Sequence, residues 1–96
     1  MVPTALPRLL PARAFAVVEL PRPVNWSQVG RRYDLPDRRQ RTLVYEAVLE
    51  EGRPDDVMSF IDGALFVDVW DALVVPAPIR EAWGELVVDY VAQAVA

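Results

Sequence analysis

Apolar residues recur at helical spacing along most of this chain, and shifts in the phase of that recurrence divide it into elements. The longest run is Ile79, Ala82, Trp83, Leu86, Val87, Tyr90, Val91 and Ala94. It holds a 3.6-residue period over four turns and predicts a C-terminal helix over residues 78–94. Val88 and Ala92 lie off this stripe and widen its apolar face, and a face that wide on so small a core favours packing on another chain. Leu43, Val44, Ala47 and Val48 predict a second helix. Asp37 opens it as N-cap with Gln40 as the reciprocal partner, and Gly52 closes it just after Glu51. Pro54 suits the first position of a third helix, with Asp55 and Asp56 in the first turn, where the helix dipole favours anions. Val57, Phe60, Ile61, Ala64 and Leu65 carry the period onward, but keeping that phase would bury Asp68 and Asp71. Phe66, Val69, Trp70, Leu73 and Val74 form a new stripe one residue out of phase, so a break is expected near Asp62 and Gly63, with a strand over residues 65–69 as the alternative. Pro76 and Pro78 end this element.

The N-terminal part reads differently. Pro3, Pro7, Pro11, Pro21 and Pro23 remove backbone donors and keep the residue before each out of the helical region, so no long helix starts here. Residues 12–20 (ARAFAVVEL) fit one strand or one short helix. Asn25 with Gln28 has the form of a capping pair, and Trp26, Val29 and Tyr33 stand at i, i+3, i+7, which predicts a short helix over residues 25–33. The expected fold is all-α: a small bundle of four to five short helices over residues 25–96, preceded by a Pro-rich segment, residues 1–24, that is extended or ordered by a partner. The expected core is Val44, Val48, Phe60, Ile61, Phe66, Trp70, Leu73, Ile79, Trp83, Leu86 and Tyr90.

Composition narrows the chemistry. Ninety-six residues with 53% hydrophobic content fit one small packed domain of marginal stability. There is no Cys and no His, which removes disulfides, thiol nucleophiles, Cys-type zinc sites and the commonest general base. Ser27, Ser59, Thr4 and Thr42 have no His to activate them, and four scattered glycines form no phosphate loop. The chain is therefore expected not to be an enzyme and to need no cofactor. Arg8, Arg13 and the prolines interrupt any signal-like run, and Asp62, Asp68, Asp71 and Glu81 break every candidate membrane span, so a cytoplasmic protein with no membrane partner is expected.

The formal net charge of −4 conceals two opposite halves. Residues 1–41 hold eight arginines against Glu19, Asp34 and Asp37, a net of +5, while residues 42–96 hold Arg53 and Arg80 against eleven acids, a net of −9. In the basic half, Arg31, Arg32, Arg38, Arg39 and Arg41 near Trp26 and Tyr33 suit phosphate contact with base stacking, or equally a solvated basic surface. Residues 37–62 have the outline of a helix-turn-helix, but its second helix would offer Asp55, Asp56, Ser59 and Asp62 to the phosphates and be repelled. In the acidic half, Glu46, Glu50, Glu51, Asp55 and Asp56 form a dense anionic band. Glu46 with Glu50 and Glu81 with Glu85 are like charges at i, i+4, an arrangement that costs stability and suits a basic partner cleft. Asp62, Asp68 and Asp71 have the oxygen chemistry of a divalent-ion site, with solvated acids as the plainer reading and no metal expected. Trp70 and Trp83 read as core residues or as interface anchors.

The string Leu35-Pro36, Arg38, Tyr45-Glu46, Val48-Leu49, Glu51-Gly52, Pro54, Asp56-Val57, Asp62-Gly63, Trp70, Leu73-Val74, Pro76, Ile79-Arg80 and Ala82-Trp83 resembles a family of small actinobacterial proteins. These are encoded beside nucleotidyltransferase-type toxins of the AbiEii/MenT kind and are presumed antitoxins. The resemblance covers residues 35–83 and leaves the Pro-rich first 24 residues outside. It implies an inhibitor that binds the toxin and occludes its nucleotide or tRNA site, a role the acidic band at Glu46, Glu50, Glu51, Asp55 and Asp56 would serve by charge mimicry. Two other classes follow from the residues themselves: a nucleic-acid-binding regulator acting through Arg31 to Arg41, and a homodimer or larger scaffold assembled through the C-terminal helix.

Overall fold

A computed structural model describes residues 5–21 and 30–95. A four-residue helix α1 (Pro11–Ala14) leads into strand β1 (Val17–Glu19), which pairs with β2 (Arg32–Asp34); then follow α2 (Arg38–Glu51), α3 (Pro54–Phe60), α4 (Gly63–Val69), a 3-10 turn (Trp70–Ala72) and α5 (Ala77–Val95). The protein is mostly helical but not all-α, because the N-terminal part supplies a two-stranded antiparallel sheet. Val17 faces Asp34, Val18 faces Tyr33 and Glu19 faces Arg32, and the Leu35 N–H donates to the Ala16 carbonyl at 3.1 Å to extend the ladder.

Two expectations about this part change. Residues 12–20 supply a helix and a strand in succession, because Pro11 can only open a helix while Val17 and Val18 are β-branched. In the helix expected over 25–33, Asn25, Trp26, Gln28 and Val29 lie outside the described residues, and the end of it is overturned. Gly30 has φ of +86°, a left-handed conformation that no helix continues through, and Arg32–Asp34 alternates exposed, buried, exposed with Tyr33 inward.

The helical half follows its local signals. Asp37 caps α2, its Oδ1 accepting from the N–H groups of Arg39 (2.9 Å) and Gln40 (3.2 Å), and Gly52 closes the helix. Gln40 does not reciprocate to Asp37; its Oε1 accepts from the Asp34 N–H at 2.8 Å and ties the first turn of α2 to β2. Pro54 opens α3, and the Asp56 Oδ2 accepts from the Arg53 N–H at 2.8 Å. The break at Asp62 and Gly63 is present, and residues 65–69 are helical because Asp62 caps α4 through the Leu65 N–H.

Asp62 also anchors the N-terminal segment. Its Oδ1 accepts from the Leu9 N–H at 2.9 Å, its own N–H donates to the Tyr45 hydroxyl at 3.1 Å, and the next residue, Gly63, donates to the Pro7 carbonyl at 2.7 Å. A Cβ on Gly63 would meet both Leu6 Cβ and the Pro7 carbonyl oxygen at 3.0 Å, so glycine permits this close approach.

The core centres on Phe66, whose ring lies 5.4 Å from that of Trp70, 5.7 Å edge-on from Trp83 and 6.3 Å from Tyr45. Val44, Val48, Ile61, Phe66, Leu73 and Trp83 are buried as expected, Phe60, Trp70, Ile79 and Leu86 pack half-buried against them, and Tyr90, expected in the core, is half-buried outside this cluster. Leu20, Tyr33, Leu35, Tyr45, Leu49, Val57, Val69 and Val87 complete the cluster. Val74 departs from its stripe and is 81% exposed, because the chain leaves the 3-10 turn in an extended conformation at Leu73. Among the described residues, no helix is long and apolar enough to cross a membrane.

Candidate partner-binding surfaces

The acidic band is built by the C-terminal half of α2 and the first turn of α3, which pack on each other. Its five carboxylates fall into two groups. Glu46 and Asp56 are half-buried and bound to backbone: the Glu46 Oε2 accepts from the Val74 N–H at 2.6 Å, and Asp56 holds the Arg53 N–H. Glu50, Glu51 and Asp55 are exposed. Desolvation, then the neighbouring charges of Glu46 and Glu51, pushes the Glu50 carboxyl above its ordinary pKa. None of the five forms an ion pair among the described residues, so their field is directed outward.

Of the five arginines, four are exposed and one is withdrawn from the surface. Arg41 is 5% exposed and turned inward; it donates from Nη1 to the Leu35 carbonyl at 2.9 Å and from Nη2 to the Asp68 Oδ2 at 3.3 Å. Its Nε is buried, with no hydrogen-bond partner among the described residues. A guanidinium so placed is a strut between α2, the β2 exit and α4, and is not available to a phosphate. Arg38 meets the same carboxylate, with Nε 3.2 Å from the Asp68 Oδ2 and Nη2 donating to the Asp68 carbonyl at 2.8 Å. Arg31 lies over the Tyr33 ring at 4.8 Å, and Arg32 and Arg39 are exposed on β2 and α2.

The three aspartates with oxygen-donor chemistry also separate: Asp62 caps α4 and holds Leu9, Asp68 holds two arginines, and Asp71 is exposed in the 3-10 turn. Among the described residues, no group of three or more acids is placed to hold a metal ion. Trp83, 3% exposed, is a core residue. Trp70 is half-buried, with the Arg80 guanidinium 4.7 Å from its ring centre, and Arg80 also donates to the carbonyls of Trp70 and Leu73.

Trp70 and Arg80 border a groove of about 480 Å³ along α5, floored at Gly84 and Val88 and edged by Glu81, Glu85 and Asp89. The signal for it in the sequence is a glycine inside the most regular helical period of the chain, a residue that helix propensity disfavours. The Asp68 junction has no such signal, since its partners lie 27 and 30 residues away. No protein-family model, curated protein or solved structure matches this chain.

Proposed function

We propose that this chain is a non-catalytic protein-binding module, an antitoxin that covers the basic nucleotide or tRNA cleft of a nucleotidyltransferase-type toxin with the acidic face of α2 and α3. The observation that carries this reading is the set of carboxylates Glu46, Glu50, Glu51, Asp55 and Asp56, none of which has an ion pair among the described residues. Like charges crowded at Glu46, Glu50 and Glu51 raise the energy of the free protein, and a basic cleft relieves that repulsion on contact. A covering protein acts by occupying a site, which agrees with a sequence holding neither His nor Cys. Direct nucleic-acid binding is the weaker reading, because Arg41 is buried and Arg38 shares the Asp68 carboxylate.

The test is titration against a nucleotidyltransferase toxin encoded beside the protein. Reversing Glu50, Glu51 and Asp55 to Lys together, which spares the two carboxylates that hold backbone N–H groups, should weaken binding by more than about tenfold and abolish its salt dependence. Changing Arg8 and Arg13 to Glu is the matched control. Equal losses from the two sets would refute the assignment of the acidic face.

A further inference from the structure

We propose that the α5 groove at Gly84 is a docking site for a basic amphipathic helix of a partner protein, distinct from the α2–α3 acidic face and independent of the antitoxin reading. Gly84 stands in mid-helix, where glycine is the least favourable residue after proline, yet a Cβ built on it meets nothing within 4 Å. Packing among the described residues therefore does not require glycine there. What the missing side chain leaves is bare helix backbone at the floor of a groove, a place where a second helix can approach closely. Val88, one turn on, is 67% exposed, and Val91, on the same face, is 43% exposed. Trp70 closes the apolar side.

The charges select the occupant. Glu81, Glu85 and Asp89 stand four residues apart along the other edge, and none has an ion pair among the described residues. Arg80, the cation on the same helix, also lines the groove, but its guanidinium is engaged over the Trp70 ring and by the carbonyls of Trp70 and Leu73 and pairs with none of the three carboxylates among the described residues. The groove thus pairs an apolar floor with an anionic edge, and the complement is a helix with an apolar stripe flanked by Lys or Arg. A second copy of this chain paired antiparallel through α5 across Gly84 and Val88 is disfavoured, because the two-fold would set each acidic edge against the other. From Glu81 to Asp89 the groove edge rises about 12 Å, so an occupant of just over two turns spans it.

The probe is a synthetic peptide of about sixteen residues with Leu at i, i+3, i+4 and i+7 and Lys and Arg flanking that stripe; a second peptide replaces the basic residues with Glu. Each is titrated into the full chain and followed by backbone amide shifts, with sedimentation to record the oligomeric state. The basic peptide should bind saturably, shift Gly84, Glu85 and Val88, and lose at least about tenfold in affinity with Gly84→Leu, which fills the notch, and with Glu81→Lys combined with Glu85→Lys. Val88 is exposed, so Val88→Asp provides a further variant that leaves the core untouched. Equal binding of the acidic peptide, shifts confined to Glu50, Glu51 and Asp55, unchanged affinity in a folded Gly84→Leu variant, or self-association through α5 would each overturn the proposal. Failure here leaves the α2–α3 reading standing, because the two surfaces share no residue.

Discussion

Tyr45 makes the stability of this protein depend on pH in an alkaline range where little else titrates. Its side chain is fully buried, and its hydroxyl accepts the N–H of Asp62, the cap of α4. Burial, the largest cause, pushes its pKa from 10.0 up to about 12; the Asp62 charge adds to this, while the Asp62 hydrogen bond and the Arg41 charge oppose it. The sign follows from the proton being held more tightly in the folded state. The contribution is fully present below the unfolded value of 10.0 and is lost as pH rises through the folded value of about 12. Two units correspond to roughly 2.7 kcal/mol, of which about half is gone near pH 11. The sequence has no Lys, His or Cys, and every other ionisable group is common to wild type and variant, so the difference between the two curves isolates Tyr45. Tyr45→Phe removes the acceptor for the Asp62 N–H and should cost about 1 kcal/mol at neutral pH. It also removes the alkaline loss, so the stability curves of the two proteins should cross slightly below about pH 11. Urea unfolding between about pH 8 and about pH 11.5 measures both curves. Parallel curves, with the variant weaker throughout, would refute the reasoning.

Asp68→Ala leaves the buried Arg41 guanidinium without its carboxylate and should cost about 1–2 kcal/mol, below the value for a fully buried pair because the Asp68 side chain is 54% exposed. The same substitution in an Arg41→Met background should cost much less, and urea midpoints of the four proteins in the cycle measure the difference. Glu50→Gln should stabilise the free protein by about 0.2–0.5 kcal/mol at neutral pH by relieving its repulsion with Glu46 and Glu51. Because the folded pKa of Glu50 is raised, its ionised form is the destabilising one, so the gain should fade as pH falls through that folded pKa towards the unfolded one, which thermal melts at several pH values will record. The same variant should bind a basic partner less tightly.

The helical half was legible because its boundaries are set within a few residues. Asp37 and Asp62 cap helices that start at the next residue, Gly52 ends one, Pro54 begins another, and each device acts on backbone groups no more than three or four positions away. The N-terminal half was not legible because its order comes from partners distant in sequence. A three-residue strand shows too few alternations to declare itself, and Tyr33, which matched a helical stripe with Trp26, is turned inward by β2 pairing with β1. The acidic band was visible as composition along α2 and α3. That Glu46 is bound to Val74, 28 residues on, and that Arg41 is buried against Asp68 were not visible, since no local period encodes either contact.

These contacts decide what the opposed charges of the two halves do. If the +5 and the −9 cancelled inside the fold, arginines of the first half would be spread over the acids of the second; among the described residues the ion pairs instead converge, Arg38 and Arg41 both on Asp68. Glu46 with Glu50, Glu81 with Glu85 and Glu85 with Asp89 stay as like-charge neighbours one turn apart, and each pair costs the free protein about 0.2–0.5 kcal/mol. Together they remove on the order of 1 kcal/mol from a domain whose size already allows little margin. Hydrophobic burial and hydrogen bonds within the chain keep their sign whether or not a partner is bound. The acids still repel one another beside a basic surface, but their attraction to it offsets that repulsion, so the residues that weaken the protein alone are the ones that would strengthen its complex.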